Sequence, residues 1–314
     1  LHQVVGIRKP GYTYQDFQNG NAASLNDIVV EHHQYDQLGF IFGAAGSYGM
    51  ANEKYFHRQK FLKQLRSLES EYVILDLGAG SSFQVLDLFL AADLGIVVVN
   101  PDPLSLAESF NFIKQVIIRN LSNTLRTFPD AQAYIYEQAK NETFRSTTRV
   151  SDIIATIQQF RPEAAEQMRT CLNKIQIGII LNKVNEDAQV TETEALQKAL
   201  QELLSINTDL LGIIHYDTTV QCALEAGTPF IAKDAKAESS RDLANIIITK
   251  LLHRDRFHAF WDKMSMRKKF EEPSEYGNRV ICSINCLYWD ECGYRQGGYP
   301  CKLQHMAEMG FQGE

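Results

Sequence analysis

The sequence predicts an α/β fold built on a doubly wound, mostly parallel sheet. Five runs of six or seven residues are almost entirely apolar and rich in β-branched side chains, which is typical of strands buried on both faces of a parallel sheet. Segments with helical periodicity lie between these runs, and the alternation of strand and helix indicates an α/β domain. The five predicted strands are 38–43, 72–77, 95–100, 175–181 and 210–216.

Helices are predicted where apolar residues recur on one helical face. Three such segments fall between the predicted strands, at 55–68, 104–118 and 192–204. The stretch 120–173 interrupts the alternation with two further helical patterns, so we expect a helical insertion there, with helices over 152–160 and 162–172.

The last part of the chain differs in composition from the rest. Residues 253–314 hold both tryptophans and four of the six cysteines. We therefore expect a main domain over residues 1–252 and a small Cys-rich C-terminal appendage over 253–314.

Composition excludes several classes of protein. The chain has 314 residues, of which 45% are hydrophobic and 22% charged, which excludes collagen, low-complexity disorder and a small disulfide scaffold. The net charge is −7, from 38 acidic and 31 basic residues, so we expect no extended nucleic-acid-binding surface. The apolar runs are far shorter than the roughly 20 residues needed to span a bilayer, and no leader pattern opens the sequence. These observations predict a cytoplasmic protein.

Polar residues at the ends of predicted strands are the first candidates for a site, because ligands of such sheets bind at the carboxyl ends of the strands. Asp76 ends the run YVILDL and is followed by Gly78, Ala79 and Gly80. A carboxylate there can hold Mg²⁺ through water and orient an attacking water, and glycine amides can approach a terminal phosphate, so Asp76 and Gly80 are the candidate catalytic residues. The alternative is that these residues only form the turn that leaves the strand.

Three more strand ends carry polar residues. Asn182 and Lys183 follow the strand IQIGIIL, and the amide of an asparagine offers the donor and acceptor that suit the edge of a purine. Asp217 follows the strand LLGIIHY, where helix capping is the alternative reading. Asn100 begins the segment Asn100-Pro-Asp-Pro, for which a simple loop is the alternative.

The order of these segments resembles the MinD/ParA superfamily of deviant P-loop ATPases, which are P-loop NTPases of the SIMIBI type. Within it, the likeness is to the FlhG (FleN) type, the MinD-like regulators of flagellar number and placement. The resemblance covers about residues 1–252 and rests on the order and spacing of LHQVVGI, FGAAGSYGMANEKY, YVILDLGAGSS, GIVVVNPDPLSLAESFNFIK, GIILNKV and LLGIIHYDTTVQCALEAGTPF.

The resemblance implies a role for each strand-end residue. Asp76 matches the Walker B aspartate, and Ala79-Gly80, preceded by Gly78, match the second switch, whose glycine amide meets the γ-phosphate. Asn182, followed by Lys183, matches the adenine-reading asparagine. The segment 214–220 matches the loop that closes over the base, with Asp217 as its polar contact. Asn100, at the end of the strand 95–100, is similar to the family's loop after that strand.

One expected element is missing from the sequence. Members of the family open with a strand, a phosphate-binding loop and a helix, yet no G-x-x-x-x-G-K-[ST] motif occurs here. The segment LHQVVGI resembles the helix that follows the family's second strand, so we expect the sequence to be truncated, with first strand, P-loop and second strand lying before Leu1. The chain as given is expected to bind ATP weakly or not at all.

For the intact protein the resemblance implies an ATPase that hydrolyses ATP to ADP and phosphate and regulates the placement or assembly of a cellular machine. ATP and Mg²⁺ would favour a homodimer, and a protein partner would stimulate hydrolysis. One alternative is an ATP-dependent metal or iron–sulfur carrier related to the Mrp proteins. Another is a nucleotide-free binding scaffold, if the chain truly begins at Leu1.

The C-terminal appendage contains a candidate metal site. Four cysteines have the spacing C-x3-C-x5-C-x8-C, and thiolates are preferred ligands of both Zn²⁺ and iron–sulfur clusters. The alternative is that these cysteines pack as small apolar residues among aromatic side chains. The four are Cys282, Cys286, Cys292 and Cys301.

An amphipathic segment precedes the cysteines. Residues 257–270 place aromatic side chains on one helical face beside four basic residues, a composition that suits peripheral contact with a membrane. The alternative is that the aromatic residues pack on the main domain.

Overall fold

The computed structural model describes residues 11–33, 35, 37–43, 61–140, 149–185 and 190–252. The chain divides into two compact units, residues 1–242 and 243–314. In the second unit the described residues are the end of a helix and a π-helical segment, Ile247–Leu251. The Cys-rich appendage and the amphipathic segment lie outside the described residues.

The first unit contains a parallel sheet of three strands, in the order β3-β4-β5. These strands are Gly95–Val99 (β3), Ile177–Val184 (β4) and Asp209–His215 (β5). Val99 is paired with Leu181, and Asn182 with Ile214, so the carboxyl ends of all three strands reach one edge of the sheet. Three of the five predicted strands are therefore confirmed, although β4 continues to Val184, beyond its predicted end.

Helices connect the strands and carry the core. The helices over the middle of the chain are Phe83–Ala91 (α3), Pro103–Thr124 (α4), Pro129–Lys140 (α5), Val150–Phe160 (α6), Pro162–Lys174 (α7) and Val190–Leu204 (α8). After β5 come Thr218–Glu225 (α9), Phe230–Lys233 (α10) and Glu238–Ile246 (α11). Helix α4 packs against α3, α7 and α8. The helices α5, α6 and α7 occupy the predicted insertion, and α6 packs against α7.

Helix α4 begins where its sequence specifies. Asp102 is the N-cap, because its Oδ1 accepts the N–H of Ser105 at 2.9 Å, and Pro103 opens the helix where no N–H bond is needed. The helix continues past its predicted end at residue 118 to Thr124, since Leu121 on the next turn is fully buried.

The two faces of β3 differ in exposure. Val97 and Val99 belong to the main core, which the helices cover. On the second face, Ile96 is 37% exposed and Val98 is 58% exposed. In the described part of the chain, β3 pairs on one edge only, with β4. The expected coverage of both sheet faces is thus not seen at β3.

The predicted strands 38–43 and 72–77 are wrong as members of the parallel sheet. Of the first, only Gly39–Phe40 (β2) is a strand, and it pairs antiparallel with Val30–Glu31 (β1) in a separate two-stranded sheet. Residues 72–77 form no regular secondary structure, and Ile74 is 90% exposed. The physical reason is that a strand needs a hydrogen-bonded neighbour, which apolar composition alone does not supply.

The first residues described form a small cluster of their own. Helix α1, Tyr14–Gln18, packs its aromatic rings with Leu25 and Ile28. Residues 61–65 are helical (α2), within the helix predicted for 55–68, and their side chains Phe61 and Leu65 pack on this cluster. Over the helices that the structure describes, none is long and apolar enough to cross a membrane.

Candidate functional site

Asn100 and Asn182 are neighbours at the carboxyl edge of the sheet. Each lies one residue beyond the paired residues Val99 and Leu181, and adjacent strands are about 4.8 Å apart. Because side chains alternate along a strand, both amides are on the second face, opposite to the buried Val99 and Leu181. Both asparagines are half-buried.

The two side-chain amides have no hydrogen-bond partner within the described part of the chain. Asn100 uses only its backbone, donating its N–H to the Ser105 Oγ at 3.0 Å and accepting the N–H of Asp102 at 2.9 Å. The main chain of Asn182 belongs to the strand ladder. Since half-buried amides gain by finding partners, this pair is free to bind a ligand with donor and acceptor groups.

Lys183 occupies an irregular position in β4. The pairing shifts between Asn182 and Val184, so that Lys183 is an extra residue in β4, and its φ is +58°. This left-handed conformation is uncommon for a residue other than glycine. Such conformations persist only where the surrounding structure stabilises them, and they are frequent at functional sites. The side chain of Lys183 is exposed.

Asp217 caps a helix, as the alternative reading of the sequence predicted. Its Oδ1 accepts the N–H of Thr219 at 2.8 Å, in the first turn of α9. Its Oδ2 accepts the N–H of Ser239 at 3.3 Å and the Oγ–H of the same residue at 3.1 Å, in the first turn of α11. The hydrogen bonds from Thr219, followed by those from Ser239, lower the pKa of Asp217 to about 2. Both oxygens of this carboxylate therefore make hydrogen bonds within the fold.

His215 and Tyr216 were not among the residues singled out from the sequence. The backbone N–H of His215 donates to Asp242 Oδ2 at 2.9 Å, and its Nδ1 lies 2.8 Å from the same oxygen. Tyr216 is 52% exposed and donates its backbone N–H to the carbonyl oxygen of Val184 at 2.9 Å. Both belong to the predicted strand 210–216 and to the segment 214–220 that the resemblance matches to the loop over the base, but neither was given a role of its own.

The segment around Asp76 lies before α3 and belongs to no strand of the described sheets. Asp76, Gly78, Ala79 and Gly80 are exposed, and no hydrogen bond or ion pair joins them to the asparagines in the part of the chain described. Gly80 has a φ of +106°, which favours glycine.

The residues after Gly80 lead into α3, whose first residue, Phe83, packs against α4. The guanidinium of Arg119 lies 4.6 Å from the centre of the Phe83 ring. Arg119 is 14 residues beyond Ser105 in α4, which corresponds to about 21 Å along the helix axis. Phe83 therefore packs beside the C-terminal part of α4, whereas Asn100 precedes the N-terminus of this helix.

The described residues fit different parts of a nucleotide to different degrees. The amides of Asn100 and Asn182 suit the hydrogen-bonding edge of a base. Among the residues that the structure describes, no group of three or more His, Cys, Asp or Glu side chains could hold a metal ion. Asp76 is thus a single carboxylate for Mg²⁺, and Gly80 offers backbone only. The four cysteines proposed as metal ligands lie outside the described residues.

A cavity of about 710 Å³ lies at the opposite end of the sheet. Its wall includes Gly95 and Gln176, at the amino ends of β3 and β4, together with Cys171 on α7. The hydroxyl of Thr124 lies 3.1 Å from the Cys171 sulfur, and burial raises the pKa of that thiol. This cavity is therefore distinct from the strand-end residues.

Comparison with known proteins gives structural likenesses at low sequence identity. No protein-family model and no curated protein sequence matches the chain. The septum site-determining protein MinD complexed with Mg-ADP from Pyrococcus horikoshii OT3 is 15% identical, with 84% of this chain and 82% of that chain covered and a TM-score of 0.49. The cell division ATPase MinD of Pyrococcus furiosus is 14% identical, with 78% of each chain covered and a TM-score of 0.47.

A third likeness is to a protein complex. The MinC:MinD cell division protein complex of Aquifex aeolicus is 14% identical over 78% of this chain and 75% of that chain, with a TM-score of 0.46. All three TM-scores are below 0.5, and the α/β fold of this chain is established by its own parallel sheet with its connecting helices.

Proposed function

We propose that this chain is a MinD-like nucleotide switch that binds ATP, with the base held at the carboxyl edge of the sheet. The observation that carries the proposal is the adjacency of Asn100 and Asn182. Both are half-buried, and neither side chain has a hydrogen-bond partner in the described part of the chain. This placement follows the rule that ligands of parallel sheets bind beyond the carboxyl ends of the strands.

Each remaining strand-end residue has a proposed role. Asn182 reads adenine, and Lys183 and Asn100 line the same edge. Asp217 shapes the loop that closes over the base, since its carboxylate holds the first turns of both α9 and α11. When bound, Mg²⁺ would neutralise charge on the phosphates. Asp76 is proposed to hold it, and the main chain of Gly78, Ala79 and Gly80 to meet the γ-phosphate.

The base-binding part of the proposal is tested with nucleotides and the full chain. Saturation-transfer NMR with ATP and CTP at millimolar concentration detects weak binding, which is the regime expected without a phosphate-binding loop. Asn182→Ala should lower the ATP affinity about tenfold, because two hydrogen bonds of about 0.5 to 1.5 kcal/mol each are lost. Asn173→Ala, an exposed asparagine on α7, is the matched control. Equal binding of ATP and CTP, or no effect of Asn182→Ala, would contradict the proposal.

The switch part of the proposal concerns assembly. In the proposed cycle, ATP with Mg²⁺ favours a homodimer, hydrolysis to ADP and phosphate dissolves it, and a protein partner stimulates hydrolysis. Sedimentation velocity with ATP and Mg²⁺ should show a dimer that Asp76→Asn reduces and Asp93→Asn leaves unchanged. A monomer under all nucleotide conditions would contradict this part. The process regulated is proposed to be of the FlhG kind, the placement of a cytoplasmic or polar machine.

The C-terminal appendage is proposed to bind Zn²⁺ or an iron–sulfur cluster through Cys282, Cys286, Cys292 and Cys301. Protein purified without oxygen should contain about one metal centre per chain, which Cys282→Ser should remove. Cys222→Ser is the matched control, since Cys222 is an exposed, free cysteine on α9. A product free of zinc, iron and sulfide would contradict this proposal.

The amphipathic segment 257–270 is proposed to contact membranes peripherally. Its four basic residues and aromatic face predict binding to vesicles that contain anionic lipid and weak binding to neutral vesicles. Sedimentation with both kinds of vesicle, before and after Trp261→Ala, tests this. Equal binding to neutral and anionic vesicles, or none, would contradict it.

A further inference from the structure

Tyr216 is an aromatic residue at the carboxyl edge of the sheet. It follows His215, the last residue of β5, and the adjacent strand β4 carries Asn182. Tyr216 is 52% exposed. Among the residues described, its ring has no aromatic or cation–π partner and its hydroxyl has no hydrogen bond, so the ring lies open to solvent at the edge of the sheet that carries the two asparagines.

Tyr216 is on the same face of the sheet as the two asparagines. Asn182 is paired with Ile214, and residues i and i+2 of a strand share a face, so Ile214 is followed on that face by Tyr216. This pair of strands has two extra residues, Leu211 in β5 and Lys183 in β4, and consecutive β5 residues from Gly212 to His215 are all paired.

The main chain on either side of Tyr216 is held firmly. Its own N–H donates to Val184, the preceding His215 bonds to Asp242 through backbone and ring, and the following Asp217 caps α9 and bonds to Ser239. A ring on such a support loses little conformational entropy when a flat ligand stacks on it.

We propose that Tyr216 is the stacking platform for the purine ring, with the amides of Asn100 and Asn182 at the edge of that ring. The inference rests on the proposed function and names a residue that decides base affinity at the same site. Aromatic stacking on one side and amide hydrogen bonding at the edge are the two interactions by which proteins hold nucleobases. Because neither involves phosphate, the edge binds adenosine as well as ATP.

The experiment uses adenosine, which has no phosphate, and the full chain. Saturation-transfer titrations compare the wild type with Tyr216→Ala and Tyr216→Phe. Tyr216→Ala should weaken adenosine binding about 5-fold to 100-fold, the range that stacking on an aromatic ring contributes. Tyr216→Phe keeps the ring and should bind within about twofold of wild type. Tyr136→Ala, a 43% exposed tyrosine on α5, is the matched control.

The outcomes separate this inference from the proposed function. If ATP binding falls with Asn182→Ala but not with Tyr216→Ala, the stacking role is overturned and the nucleotide switch stands. If the wild type binds neither adenosine nor ATP, both are overturned. If Tyr216→Phe loses as much affinity as Tyr216→Ala, the hydroxyl and not the ring makes the contact, which also overturns the inference. Circular dichroism confirms that each variant is folded.

Discussion

Breaking the ion pair between Arg119 and Asp87 should weaken the attachment of α3 to α4 and destabilise the fold. Two hydrogen bonds of 2.7 and 2.9 Å join the guanidinium to both carboxylate oxygens, and the side chains are only 17% and 13% exposed. The guanidinium also lies over Phe83, the first residue of α3. This pair therefore fixes the end of α3 that follows the glycines at 78 and 80.

The magnitude follows from the geometry and exposure of the pair. Exposed ion pairs contribute about 0 to 1 kcal/mol, and removing one partner of a buried pair costs about 3 to 5 kcal/mol. A two-bond pair that is mostly covered falls between these limits, so we expect a coupling energy of about 2 kcal/mol. Arg119→Ala should cost somewhat more, because the cation–π contact of about 0.5 to 1 kcal/mol with Phe83 is lost as well.

The assay is a double-mutant cycle measured by urea unfolding, with Arg119→Ala, Asp87→Ala and the double variant. The matched control is the pair Arg161 and Asp130, which also forms two short hydrogen bonds but is 47% and 40% exposed. We expect a clearly smaller coupling there, and a stronger effect of salt.

A coupling energy at Arg119 and Asp87 below about 0.5 kcal/mol would contradict this prediction, because such a value is typical of exposed surface pairs. Equal couplings for the two pairs would refute it as well, since burial is the property that distinguishes them.

Three further predictions follow from single groups. The folded-state pKa of Asp217 is lowered from 3.8 to about 2, so the ionised carboxylate stabilises the folded state fully above about pH 4 and loses this effect as the pH falls through about 2. The free energy of unfolding of the wild type should therefore exceed that of Asp217→Asn above about pH 4, and this difference should disappear at about pH 2, as unfolding curves at several pH values can measure. Gly95→Ala should destabilise the chain by about 1 to 3 kcal/mol, because an added Cβ would lie 2.3 Å from the Phe89 ring, and Phe89→Leu in the same chain should restore part of the loss; additive effects would contradict this. Iodoacetamide should alkylate the exposed Cys222 faster than Cys171, whose pKa is raised by burial, and peptide mapping with equal rates would contradict this.

The helices and the three central strands are the part of the fold that local sequence specifies. α4 begins with an Asp-Pro pair and has a continuous apolar stripe, and both features occur within a single segment of the sequence. β3 and β4 are β-branched runs with both faces apolar. In each case the pattern and the observed environment agree because the information is local.

The strands predicted at 38–43 and 72–77 show that local sequence alone does not establish membership of the parallel sheet. Like β3 and β4 they are short, mostly apolar runs, yet neither joins the parallel sheet. Joining a sheet depends on a neighbouring strand with unpaired backbone groups, and that neighbour is distant in sequence.

Local sequence patterns specify the α/β class, the helical insertion, and the three strand ends at which Asn100, Asn182 and Asp217 occur. Contacts between distant segments establish which of these side chains lack a partner among the described residues. Parallel register made Asn100 and Asn182 neighbours and left their amides without partners among the described residues. Ser239, in the first turn of α11 and 22 residues beyond Asp217, donates hydrogen bonds to that carboxylate. Whether a polar side chain is available to a ligand depends on contacts between segments far apart in the chain, which no local pattern contains.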